Sequence, residues 1–166
     1  MNSLNDLQYM NIIDEYVNNE KFQKTKFIEQ HGVTRFEHSI KVSYYSYKIA
    51  KFLHLNYKET AVGGLLHDFF ISSNEMGTKE KVNMFFSHPK LALKTASKEF
   101  ELTNLEKDVI RNHMFPTTFA IPKYLESWIV CMVDKGVATG EFAFKFKDQL
   151  RYSYNLFVFF IIGFLK

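Results

Sequence analysis

The run Ala61-Val62-Gly63-Gly64-Leu65-Leu66-His67-Asp68 is apolar or small for six residues and then ends on an imidazole and a carboxylate. A stretch of this kind is expected to be buried. Burying an ionised Asp without compensation costs far more than a small core returns. Two remedies are open at this point: a metal ion beside His67 and Asp68, or a hydrogen-bonded or salt-bridged pair in the core. The chain on either side bears on which applies.

Moving outward, the apolar spacing is mostly helical. Asn56 caps a helix over about 57–70. Upstream, His38, Val42, Tyr45, Ile49 and Phe52 recur on one face of a helix over 35–53, which turns His38 inward. Leu4, Leu7, Met10, Ile13 and Val17 form a stripe on a helix over 4–17, and a second stretch near 21–30 ends at Gly32. Downstream, 71–82 reads as a loop. Helices are expected over 89–100, 105–115 and 123–135, with Pro116 and Pro122 bracketing the last connection. A final helix fits 148–164. His113 lies one turn past Val109 and Ile110, and Asp134 follows the apolar run 128–133, so both face the interior. The reading is an all-α, single-domain bundle of about seven helices spanning 1–166. Several inward carboxylates and imidazoles borne on separate helices then share one small core, and a common cation would resolve their desolvation together.

Composition narrows the classes. With 166 residues and 46% hydrophobic content the chain can support one core without disulfides. The lone Cys131 excludes a disulfide framework and suits a reducing compartment. A net charge of +3, dispersed along the chain, is too mild for a nucleic-acid footprint. With 18 Phe and 9 Tyr against 7 Gly and 3 Pro, an aromatic helical core is expected and a turn-rich β-protein is not. Met1 to Leu7 lacks the layout of a secretion signal, so the expected location is the cytoplasm. Leu156 to Leu165 is ten apolar residues, about half of what a membrane-spanning helix needs. It is read as a terminal helix packed into the core or against a second subunit of a homodimer, with a membrane-surface anchor as the other reading.

The order His38, then His67-Asp68, then Asp134, with spacings of 29 and 66 residues, resembles the HD superfamily of metal-dependent phosphohydrolases, whose signature is H…HD…D. The resemblance covers about residues 30–140, leaving 141–166 as the terminal apolar helix. It extends to local wording in Phe36-Glu37-His38-Ser39, Gly64-Leu65-Leu66-His67-Asp68-Phe69-Phe70 and Val130-Cys131-Met132-Val133-Asp134-Lys135. His88 and His113 match the two extra histidines of subgroups such as the cyclic-dinucleotide phosphodiesterases and the HD-type diadenosine tetraphosphate hydrolases.

By this resemblance, His38, His67, Asp68 and Asp134 would hold one ion, His88 and His113 a second, and Asp68 would bridge them. Four imidazoles and two carboxylates without a thiolate suit two divalent transition-metal ions (Fe, Mn, Ni, Co or Zn) rather than Ca or Mg alone. Their chemistry would be hydrolysis by a metal-activated hydroxide. His67 and Asp68 would form the catalytic centre, aided by two cations. Arg35, at a helix start, is either a phosphate contact or a solvated charge. Lys135 is either a site residue or a lysine paired with Asp134 or exposed. The family's frequent Gly-Lys after the HD pair is replaced by Phe69-Phe70-Ile71, which removes a phosphate clamp from this helix. Cys131 is expected to be structural, and His31 and His54 to be surface residues. The activity implied is that of a metal-dependent phosphohydrolase acting on a phosphorylated small molecule, expected to be a nucleotide. The other reading is a nucleotide-binding or regulatory module with a structural metal.

Overall fold

The structure is a computed structural model and describes residues 6–30, 32–71 and 78–164. Seven α-helices account for nearly all of the regular structure among them: α1 Leu7–Val17, α2 Glu20–Gln23, α3 Arg35–Phe52, α4 Tyr57–Leu66, α5 Thr78–Glu99, α6 Asn104–Asn112 and α7 Leu125–Phe164. A 3₁₀ turn over Lys24–Phe27 and a two-residue antiparallel hairpin, Glu29–Gln30 with Val33–Thr34, link α2 to α3. The all-α expectation therefore holds.

Polar side chains fix where the central helices begin. Asn56 Oδ1 accepts from the Glu59 N–H at 3.3 Å, the cap expected for α4. Thr34 and Glu37 form a reciprocal capping box at the start of α3, as do Thr103 and Glu106 at the start of α6. Helix α4 runs through the middle, packed on α3, α6, α1 and α7. Its residues 60–66 are all buried. Gly63 and Gly64 permit that enclosure. A Cβ on Gly64 would meet the Ser43 backbone of α3 at 3.1 Å, and one on Gly63 would meet Val109 of α6 at 2.9 Å. The core around α4 is aromatic, as composition suggested: Tyr9, Phe22, Tyr47 and Phe69 are fully buried, and Tyr9 packs on both Tyr44 and Tyr47.

Several local expectations are corrected. The stretch 21–30 is a single helical turn, a 3₁₀ turn and a strand. Only His38 and Val42 of the stripe on α3 are buried, while Tyr45, Ile49 and Phe52 are exposed. The inward face instead carries Ser39, Ser43, Ser46, Tyr47 and Ala50. Small hydroxyl residues let α4 approach closely, and Ser43 Oγ donates to the Ala61 carbonyl at 2.7 Å. Leu7 of the first stripe is exposed, and Leu4 lies outside the described residues, as do 72–77 of the expected loop.

Helix α5 begins at Thr78 and passes through Pro89 rather than starting there. A proline cannot donate to the carbonyl four residues back, and that carbonyl, of Phe85, accepts from His88 Nδ1 at 2.8 Å. The two helices expected at 123–135 and 148–164 are one, α7, of 40 residues. At 1.5 Å per residue it is about 60 Å long. Gly136 and Gly140 fall inside it, each costing only about 1 kcal/mol relative to alanine. Its first half packs on the bundle, and residues 142–147 are exposed. No helix among the described residues is long and apolar enough to cross a membrane. The packing expected for Leu156 to Leu165 lies outside the described side chains.

Candidate metal centre

Five helices or helix ends deliver the six candidate ligands to one buried place. His38 comes from the first turn of α3, His67 caps the C-terminus of α4 with Asp68 following, and His88 lies within α5. His113 caps the C-terminus of α6, and Asp134 lies on α7. All six are buried. His38 Nε2 is 3.0 Å from Asp134 Oδ1. His67 Nε2 is 3.6 Å from both Asp134 Oδ1 and Asp68 Oδ2. His88 Nε2 is 3.3 Å, and His113 Nε2 3.7 Å, from Asp68 Oδ1.

The imidazoles are aimed by their own helices. His67 Nδ1 donates to the Gly64 carbonyl at 2.7 Å, His88 Nδ1 to Phe85 at 2.8 Å, and His113 Nδ1 to Ile110 at 2.8 Å. A carbonyl only accepts, so each Nδ1 carries the proton and, in the neutral ring, each Nε2 is a bare lone pair. For His67 and His113 the acceptor is one of the last carbonyls of a helix, which have no helical partner. For His88 it is the carbonyl that Pro89 leaves free.

His88 Nε2 and His113 Nε2 consequently face each other at 3.0 Å with no proton between them in their neutral forms. His67 Nε2 is buried and has no hydrogen-bond partner among the described residues. Lone pairs converging on carboxylate oxygens in this way are the donor set of a cation site. Three overlapping groups have ligand atoms mutually within 4.8 Å: His38, His67 and Asp68; His67, His113 and Asp134; and Asp68, His88 and His113. The residues present fit divalent transition-metal ions.

Electrostatics divide the cluster. Burial pushes the His113 imidazole down to about 4, helped by the nearby His67, and burial also lowers His88. Both therefore stand as neutral ligands. Burial opposes charge on His38 too, but hydrogen bonds with Asp134 and Glu141 raise it to about 9. Burial alone would raise the Asp68 and Asp134 carboxyls. His67, itself raised by the carboxylates beside it, outweighs burial for Asp68, and hydrogen bonds with His38 and His67 do so for Asp134, so both carboxyls lie well below the usual range.

Both cations make contacts within the protein. Arg35 is buried rather than solvated. Its Nη1 donates to the Phe70 carbonyl at 2.6 Å and its guanidinium lies 3.8 Å from the centre of the Phe70 ring. Phe70 in turn stacks on His88, with centroids 5.5 Å apart. Lys135 neither pairs with Asp134 nor extends into solvent. Its Nζ donates to the carbonyls of His113, at 3.0 Å, and Cys131, at 3.2 Å. Cys131 is buried against the Phe115 carbonyl, as a structural thiol would be. His54 is exposed at the end of α3, and His31 lies outside the described residues.

Sequence reasoning missed Glu141 and Lys41. Glu141 Oε2 accepts from His38 Nδ1 at 2.8 Å, and Glu141 Oε1 binds Lys41 Nζ at 2.8 Å. The available signal was register. Glu141 is seven residues after Asp134, and Lys41 three after His38, so each shares a helix face with a signature residue.

An HD-domain family model matches residues 35–138. No curated protein and no solved structure matches the chain.

Proposed function

This chain belongs to the HD-domain family, a superfamily of metal-dependent hydrolases, and we propose that it hydrolyses a phosphate ester or anhydride, of a nucleotide, at a site for two divalent transition-metal ions. One observation carries the two-ion reading. The oxygens of Asp68 face different imidazoles, Oδ1 toward His88 and His113 and Oδ2 toward His67. A carboxylate so divided suits a bridging ligand. His38, His67 and Asp134 would complete one ion's set, and His88 and His113 the other's. Bound ions would supply a water activated near neutral pH and neutralise the phosphoryl oxygens.

The protein's share is orientation, charge and exclusion of water. His67 and Asp68 sit at the centre, with their positions set by the end of α4. Asp68 and Asp134 stay ionised and His88 and His113 neutral, so these four are ready to bind cations, whereas His38 and His67, both raised by the carboxylates around them, would each release a proton on doing so. Arg35 and Lys135, the two proposed catalytic cations, act through position and field. Arg35 backs the Phe70–His88 stack, and Lys135 ties α7 to the end of α6 beside His113. Phe69 and Phe70, where the family often has Gly-Lys, contribute buried rings.

The test is metal analysis of protein as purified, followed by phosphate release from a panel of nucleotides in Mn²⁺ or Fe²⁺ buffer. About two ions per chain, turnover, and loss of both in His67→Ala and Asp68→Ala are expected. Metal-free protein whose turnover survives these substitutions would end the proposal. Tight nucleotide binding without product over hours would replace it with a regulatory module.

A further inference from the structure

Three of the four clustered imidazoles owe their orientation to a carbonyl of their own helix, three residues back. His38 cannot use that device. It lies in the first turn of α3, where the carbonyls are already engaged in the helix, and the free groups at that end are donors. Its ring is fully buried, so water is not at hand to fix it either.

We propose that Glu141 is the positioning residue for His38: it accepts the Nδ1 proton, holds Nε2 toward Asp134 and the metal centre, and is itself steered by Lys41. The contact joins residues 103 apart in sequence. Helix α7 presents Asp134 and Glu141 two turns apart, and the His38 ring spans them, Nε2 to Asp134 at 3.0 Å and Nδ1 to Glu141 at 2.8 Å. Glu141 is buried, and each of its oxygens has one named partner, Oε2 with His38 and Oε1 with Lys41. A carboxylate on the far nitrogen fixes ring orientation and makes the near nitrogen a stronger donor to a metal. Lys41 is partly exposed, so the carboxylate is anchored from the solvent side while its other oxygen stays inside. The inference rests on the metal-site reading above and extends it to a residue beyond the 35–138 family match.

The experiment measures Mn²⁺ affinity by competition with a chromogenic chelator, for the full chain and for Glu141→Ala and Glu141→Gln. Thermal midpoints are recorded alongside. A Zn²⁺-loaded sample of each is used for ¹⁵N spectra of the histidines. Glu141→Ala should bind Mn²⁺ about 10- to 100-fold more weakly. Glu141→Gln, whose amide oxygen still accepts from Nδ1–H, should recover most of that loss. In the spectra, the His38 Nδ1 proton should be sharp in wild type and Gln and lost in Ala. Wild-type affinity in Glu141→Ala would overturn the proposal, as would a loss in Gln equal to that in Ala. Failure of the wild type itself to bind Mn²⁺ would remove the metal site and this role with it, whereas equal binding by wild type and Ala removes this role alone.

Discussion

The Arg35 guanidinium lies 3.8 Å above the Phe70 ring, and its Nη1 holds the Phe70 carbonyl at 2.6 Å, so one side chain grips both ends of a residue two positions past Asp68. A lysine supplies a point charge without the planar stack. Arg35→Lys is therefore expected to lower folding stability by about 1–2 kcal/mol. Urea unfolding measures it. Unchanged stability with a raised KM for the phosphorylated substrate would return Arg35 to the role of a direct phosphate contact.

Cations that bind only the folded centre stabilise it by mass action. At a free concentration one hundred times Kd, one site contributes about 2.7 kcal/mol. For a chain of this size that raises the thermal midpoint by roughly 5–10 °C. Mn²⁺ should give this shift in wild type, and EDTA should reverse it. His67→Ala should show almost none of it. A midpoint indifferent to both additions would contradict the proposed centre.

Gly64 lets α4 lie against the backbone of α3, and a Cβ there would sit 3.1 Å from Ser43 Cα. A backbone neighbour yields less readily than a side-chain tip. Gly64→Ala is accordingly expected to destabilise by about 1–3 kcal/mol. It should also weaken Mn²⁺ binding, because Gly64 supplies the carbonyl that orients His67. Gly136→Ala, with nothing within 4 Å of the added carbon, is the contrast and should be neutral or stabilising. Similar effects at both positions would refute the packing argument.

Burial lifts the Tyr9 phenol well above the usual tyrosine range, and its hydroxyl donates to the Ile40 carbonyl at 3.3 Å. The folded state thus holds a proton that the unfolded chain releases near pH 10. The resulting contribution is intact below about pH 10 and is lost as pH rises beyond it. Urea midpoints at pH 8 and pH 11 should fall further for wild type than for Tyr9→Phe. Parallel declines would show that Tyr9 does not govern the alkaline side.

Helices α4 and α6 were legible from their apolar spacing, but they were expected to run to 70 and 115 and stop instead at Leu66 and Asn112, where His67 and His113 cap them. The inward placement of His88 came from the family resemblance and not from periodicity, since Pro89 reads locally as a helix start. The face of α3 was misread for a reason of packing chemistry. Serines at 39, 43 and 46 look polar in sequence, yet they are the small residues that a close helix contact requires, and they push Tyr45 and Ile49 outward. The continuity of α7 was hidden by Gly136 and Gly140, whose helix penalty is outweighed over 40 residues. Glu141 escaped notice because a glutamate among Phe and Lys resembles a surface charge until the His38 ring is seen beside it.

The backbone carbonyls that aim His67 and His113 belong to the last turns of α4 and α6, the parts of a helix that fray first. Ligand geometry and the integrity of those turns are thus one cooperative property. A loosened helix end would scatter the donor directions before the bundle lost its shape. Amide hydrogen exchange at Leu66 and Asn112 would then be a more sensitive gauge of a competent centre than any global unfolding curve.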